Sequence, residues 1–242
     1  MDAVRIEGLT KKYKDIVAVD NLSLTVGEGE LLSLLGINGA GKTTTIKMLS
    51  CLTAATEGDA FLCGKSIKNE AAEVKPVIAV SPQESAVAPG LTVRENLELI
   101  CGVHGFTRPK RDEKIKELSE LLGLDSVMKK KAGKLSGGWQ RRLSIAMALI
   151  SEPKILFLDE PTLGLDVIAR SDLWDIIRGL KGRVTVILTT HYMEEAESLS
   201  DRIAIMKDGR LLTVGTASEI KALADTDNFE EAFVRIVKGG AK

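Results

Sequence analysis

No stretch of this sequence approaches the roughly 20 consecutive apolar residues that cross a bilayer. Its longest apolar runs, in KILFLDE and RVTVILTTH, are strand-length, so no membrane span is expected. The opening MDAVRIEGLTKKYKD has no apolar signal-peptide core, and the chain is expected to stay in the cytoplasm. An excess of one charge sign is missing as well: 33 Lys and Arg face 34 Asp and Glu. That balance argues against a protein whose main task is to coat nucleic acid, and no nucleic-acid partner is expected. Cysteine is scarce. Cys51, Cys63 and Cys101 form no CxxC pair and have no histidine at metal-ligand spacing, which reads as small buried residues with free thiols. Long repeats, low-complexity segments and sustained heptads are also absent. What is present, 44% apolar and 28% charged residues over 242 positions, suits one large domain or a domain with a substantial insertion.

Residues 3–7 and 22–26 alternate as half-buried strands do. LLSLLG reads as a buried strand, followed by a glycine-rich loop and a helix over KTTTIKMLSCL. DAFLCGKSI and VIAVSPQ supply further strands. From Leu91 to Leu149 apolar residues fall at helical spacing instead, and Thr92 with Glu95 resembles a capping box. After this helical insertion, strands return at KILFLDEP and VTVILTTH, alternating with helices over VIARSDLWDIIRGLKG and MEEAESLSD. Such alternation implies a mainly parallel sheet with helices on both faces. From Ser218 a helix and a short amphipathic tail, NFEEAFVRIV, are expected to pack on the body or to dock a partner.

Three segments carry chemistry. GINGAGKTT places Gly36, Gly41, Lys42 and Thr43 in the four defining positions of a phosphate-binding loop, between a predicted strand and a predicted helix. The glycines let backbone N–H groups turn inward, and the helix aims its positive end at the phosphates. Lys42 is suited to reach the β and γ phosphates and Thr43 to ligate Mg²⁺. ILFLDEP delivers Asp159 and Glu160 to the end of a buried strand, the edge where open α/β folds bind ligands. Asp159 is suited to the metal and Glu160 to polarising an attacking water as general base. VILTTHY ends another strand in His191, a candidate γ-phosphate contact, and Gln83 follows VIAVSP where an amide can touch metal or water. KLSGGWQRRLS then poses a question. Ser136, Gly137 and Gly138 open a predicted helix, a second phosphate-binding arrangement in one chain.

Taken in order, GINGAGKTT, Gln83, LSGGWQ, ILFLDEP, LGLD and His191 make nearly the whole chain resemble the nucleotide-binding subunit of an ABC transporter. The resemblance implies an α/β, P-loop NTPase (RecA-like) fold: a mainly parallel sheet core, an N-terminal antiparallel β subdomain and an inserted α-helical subdomain. It implies an ABC ATPase domain over 1–220, with core segments 1–83 and 152–220, a helical subdomain over about 84–151, and a short helical tail over 221–242. ATP and Mg²⁺ are the implied ligands. Asn38, Gly39, Ala40 and Thr44 complete the cradle, Gln83 joins Thr43 and Asp159 at the metal, and Tyr13 stacks on adenine unless it is a core residue. Two such domains close head to tail in this family, a second copy or a paralogue, so that Ser136, Gly137 and Gly138 touch the γ-phosphate held by the other subunit. Asp166 of LGLD sits at the seam. Trp139 departs from the family's usual flexible residue. It either stacks near the opposing nucleotide, lies at the interface, or packs within the helical insertion.

TTHYMEEAESLSDRIAIMKDGRL further resembles the ABC-2-type exporters, which include the sodium-export, drug-export and bacitracin-resistance families. A separate polytopic permease is the implied membrane partner, with the chain peripheral on the cytoplasmic face of the membrane. The competing expectation is a soluble ABC-type ATPase of iron–sulfur assembly, repair or ribosomes. A GTPase is disfavoured because no N-K-x-D segment appears.

Overall fold

The computed structural model describes residues 2–239. Met1 and the last three positions of the expected tail, 240–242, lie outside the described residues. The chain opens with a hairpin, β1 (Asp2–Tyr13) and β2 (Ile16–Gly27), paired antiparallel with several register shifts. These strands are longer than the alternating patches 3–7 and 22–26. Their outer halves, such as Lys11–Tyr13 against Ile16–Val19, continue the ladder through backbone pairing while their side chains turn largely to solvent. β3 (Leu31–Leu35) follows, then α1 (Lys42–Leu49), β4 (Glu57–Leu62), β5 (Lys65–Ser66), a single turn α2 (Ala71–Val74) and β6 (Ile78–Ser81).

Three helices then intervene: α3 (Val93–Val103), α4 (Arg108–Leu121) and α5 (Gly137–Leu149). Thr92 caps α3 as its sequence predicts: its Oγ1 accepts from Glu95 N at 3.2 Å, and Glu95 Oε2 accepts from Thr92 N at 2.7 Å. The chain returns through β7 (Ile155–Asp159), α6 (Val167–Leu180), β8 (Thr185–Thr190), α7 (Met193–Leu199), β9 (Arg202–Lys207) and β10 (Arg210–Gly215). It closes on α8 (Ala217–Leu223) and α9 (Phe229–Val237).

Two sheets result. The smaller is antiparallel, in the order β2-β1-β4-β5; the larger runs β10-β9-β3-β8-β7-β6 and is parallel except for β10. β3, β7 and β8 are buried along their whole length, which is why they read as continuous apolar runs. Successive side chains on such strands point to opposite faces. Leu32, Leu34, Ile155 and Phe157 therefore meet α1 and the antiparallel sheet, while Leu31, Leu156 and Leu158 meet α3 to α6. One face of the parallel sheet is thus shared between a helix and a second sheet, where alternation alone implied helices. The C-terminal segment packs on the body: Phe229, Ala232, Phe233 and Ile236 of α9 are buried with Ile203 and Ile205 of β9 and Ala196 of α7.

Candidate functional site

The C-terminal ends of β3, β7 and β8 lie side by side in the large sheet. Each ends in a segment with chemistry: residues 36–41 after β3, Asp159–Glu160 at β7, and His191 after β8. The loop after β3 wraps tightly because two of its glycines sit against backbone. A Cβ on Gly36 would lie 2.5 Å from the Met206 carbonyl oxygen. Gly41, the N-cap of α1, has φ +98°, and a Cβ there would lie 2.6 Å from the Ala18 carbonyl oxygen. Gly41→Ala is expected to cost about 1–3 kcal/mol through backbone strain and clash. It should appear as a lower urea midpoint, and an unchanged midpoint would contradict this packing.

Lys42 is buried at the start of α1. Its Nζ donates to the Gly36 carbonyl at 2.7 Å and lies 3.5 Å from Glu160 Oε1. Burial pushes its pKa down, and the Glu160 carboxylate pulls it back up. The ammonium is therefore a poorly hydrated cation facing the loop, suited to an anion that brings its own charge. Thr43 Oγ1 donates to Asp159 Oδ1 at 3.1 Å, and Thr189 Oγ1 donates to the same oxygen at 2.5 Å. Glu160 sits just past the strand at φ +46°, an unfavourable conformation for a side-chain-bearing residue. Its N–H holds it there by donating to both the carbonyl and the hydroxyl of Thr189, at 3.1 and 3.0 Å. Its Oε2 lies 3.0 Å from His191 Nδ1.

Lys42, Thr43, Glu160 and His191 line one cleft of about 760 Å³. Of the residues singled out from sequence, Tyr13, Asn38, Gly39, Ala40, Gly41, Lys42, Thr43, Thr44, Gln83, Glu160 and His191 line it. Gly36 reaches it through the bond to Lys42, and Asp159 through Thr43. Tyr13 is 44% exposed beside the exposed Ile16 and Val17, which rules out a core role. The Lys11 ammonium stands 4.9 Å from its ring centroid. The ring and these apolar neighbours offer a flat surface for a base.

Ser136, Gly137, Gly138 and Asp166 do not line this cleft. They lie on neighbouring segments instead, the start of α5 and the start of α6. Gly137 and Gly138 start α5 and abut Leu165 and Ala169, while Asp166 caps α6 by accepting from Ala169 N at 2.9 Å. Ser136, Gly137 and Asp166 are exposed. Trp139 is half-buried against the helical core, stacked under the Arg142 guanidinium at 4.8 Å, and Arg142 pairs with Asp172 of α6 at 2.7 Å. This is packing within the helical insertion, one of the three roles open to Trp139.

Sequence reasoning missed two organising residues. Thr189 links Asp159 to Glu160, and its signal was a hydroxyl inside an apolar strand. Arg141 is buried and donates to the carbonyls of Pro82 and Gln83, tying α5 to the segment that brings Gln83 to the cleft. Its signal was a cation on an otherwise apolar helix face.

Residues 19–163 match the family model described as ABC transporter. The chain belongs to this family. The matched span contains the ABC domain's phosphate loop, Gln83, Ser136 to Gly138, Asp159 and Glu160; Tyr13, Asp166 and His191 lie outside it. The chain is 40% identical over 229 residues to the daunorubicin resistance ATP-binding protein DrrA3 of Streptomyces coeruleorubidus, covering 94% of this chain and 72% of that protein. It is 40% identical over 222 residues to the human phospholipid-transporting ATPase ABCA3, covering 90% of this chain but 13% of that protein. Among solved structures, a dimeric, post-hydrolysis ATP-binding cassette bound to ADP and Pi superposes with a TM-score of 0.78. The two are 28% identical, and the match covers 88% of this chain and 98% of that one.

Proposed function

We propose that this ABC domain is the ATP-hydrolysing motor of an exporter, working as a head-to-tail pair of copies that share two ATP molecules. The observation that carries the proposal is the separation of the two phosphate devices. The cleft built on Lys42 holds one set, and the exposed start of α5 lies outside it. A device that cannot serve its own cleft is available to a second copy. The exposed apolar pair Val167 and Ile168, directly after Asp166, supports a partner surface there. The dimeric relative with ADP and Pi supports the same arrangement.

In this reading ATP stacks its base on Tyr13 and lays its phosphates on the N–H groups of residues 38–44. Lys42 neutralises the β and γ phosphates. The Thr43 hydroxyl and the Asp159 carboxylate fit Mg²⁺: two hard oxygens 3.1 Å apart at the base of the cleft. Among the described residues no cluster of three His, Cys, Asp or Glu could hold a metal alone, which suits an ion bound largely through phosphate and water. An ion held there would supply charge neutralisation at the phosphates. Gln83 lies within the same cleft and reports its contents to α5 through the bonds from Arg141. Glu160 accepts the proton of the attacking water, and His191, bonded to Glu160, fixes that carboxylate and touches the γ-phosphate. Ser136, Gly137 and Gly138 of the second copy close over the same phosphate, with Asp166 at the seam. Loss of the γ-phosphate removes the bridge and opens the pair.

Export is supported by relatives named for drug resistance and for Nod factor export. No described helix is long and apolar enough to cross a membrane. In this reading the motor acts on a separate polytopic permease from the cytoplasmic face, through the helical segment between β6 and β7. Ser136→Arg tests the shared site. In mixed dimers it is expected to silence the cleft of the other copy while leaving the mutant's own Lys42 cleft able to bind ATP. Damage confined to the mutant's own cleft would refute the arrangement.

A further inference from the structure

The cleft does not use the most deeply buried acid of the fold. Glu195, on α7, is 0% exposed. Its Oε1 accepts two hydrogen bonds from two other elements: Thr162 Oγ1 at 2.8 Å, in the loop between β7 and α6, and Trp174 Nε1 at 3.1 Å, on α6. Its Oε2 has no hydrogen-bond partner, alone in this among the buried side-chain polar atoms of the described residues. Two cations influence it by charge, Arg170 of α6 and Arg141 of α5, but neither bonds to it. Arg170 pairs with Glu194 at 3.5 Å, and Arg141 donates to the carbonyls of Pro82 and Gln83.

We propose that Glu195 is a positioning residue that latches the loop carrying Glu160 and Asp166 to the segment carrying His191. Thr162 lies two residues after Glu160, in the loop that ends at Asp166. Glu195 lies four residues after His191, on the helix that follows it. Trp174 ties α6, which Asp166 caps, to the same oxygen. One carboxyl group therefore holds three things in register: the proposed base, the residue bonded to it, and the seam contact to the second copy. A displacement of His191 on loss of γ-phosphate would reach Asp166 by this route.

A single oxygen of the carboxyl makes both bonds. Burial pushes the Glu195 pKa up, against the neighbouring Thr190, Thr162 and Trp174 donors and the Arg170 charge, which favour the anion. A glutamine amide oxygen can accept the same two bonds in the same volume, whereas leucine accepts none, so Glu195→Gln should preserve the latch and Glu195→Leu should release it.

The inference rests on the motor reading for its purpose, but its test does not need turnover. Amide hydrogen exchange would be followed in nucleotide-free wild type, Glu195→Gln and Glu195→Leu, comparing residues 160–166 with β3 and β8. The latch predicts exchange about tenfold or more faster over 160–166 in Glu195→Leu, with β3 and β8 unchanged and the glutamine variant like wild type. Unchanged exchange in the leucine variant, a uniform rise that includes β3 and β8, or a glutamine variant as loose as leucine would each overturn it. ATP turnover supplies a second readout: kcat should fall about tenfold in Glu195→Leu with KM nearly constant, and recover in Glu195→Gln. Absence of turnover in the wild type would remove the motor reading and leave the exchange result to decide the latch.

Discussion

Glu160→Gln is expected to bind ATP at least as tightly as the wild type and to hydrolyse it about 10²- to 10⁴-fold more slowly, the usual worth of a positioned general base. The geometry gives the reason. Glutamine matches glutamate in volume and can still bond to His191, now 3.0 Å from Oε2. It cannot accept a proton. It also removes the negative charge 3.5 Å from the Lys42 ammonium, leaving that cation free for the γ-phosphate. Binding and chemistry should therefore separate, with affinity kept and turnover lost. Single-turnover assays with radiolabelled ATP, alongside calorimetric titration, measure the two independently. A variant that turns over at the wild-type rate would remove Glu160 from the chemistry.

Lys42→Ala should do the opposite, failing at binding. The ammonium is the cation buried in the phosphate loop, fixed by the Gly36 carbonyl. Charge-assisted hydrogen bonds are worth roughly 1.5–3 kcal/mol, so ATP affinity is expected to fall about 10- to 100-fold in calorimetry. Truncation also leaves Glu160, 9% exposed, without its buried cation beside the incoming phosphates, and the repulsion adds to the loss. AMP, which lacks the β and γ phosphates, should bind both forms about equally. Equal ATP affinity in both forms would refute the phosphate-loop assignment.

What could be read from the sequence divides along a physical line. The phosphate loop was legible because its residues are contiguous: the turn, the helix start and the cation all lie within 36–44. Asp159, Glu160 and His191 were legible because each ends a buried apolar strand, and a strand end fixes a place on the sheet edge. Contacts set by tertiary register were not. Thr189 bonds to Asp159 only because β7 and β8 run parallel with Asp159 opposite Thr189. The packing of Trp139 under Arg142 likewise depends on a tertiary contact that the sequence does not display. Glu195 stands in MEEAES, a run that reads as a solvated helix face, yet the helical period turns it inward while the Glu194 side chain beside it stays 71% exposed. The far half of the opening hairpin was hidden because backbone pairing there needs no apolar alternation.

The central claim is that the two phosphate devices of one chain serve two different ATP molecules. The most direct test is the solution mass of Glu160→Gln by light scattering, with and without Mg-ATP, beside a Ser136→Arg,Glu160→Gln double variant. The account predicts a single chain without nucleotide, a stable pair with Mg-ATP, and no pairing in the double variant although it still binds ATP. A chain that stays single when saturated with ATP, or a double variant that pairs normally, would contradict it.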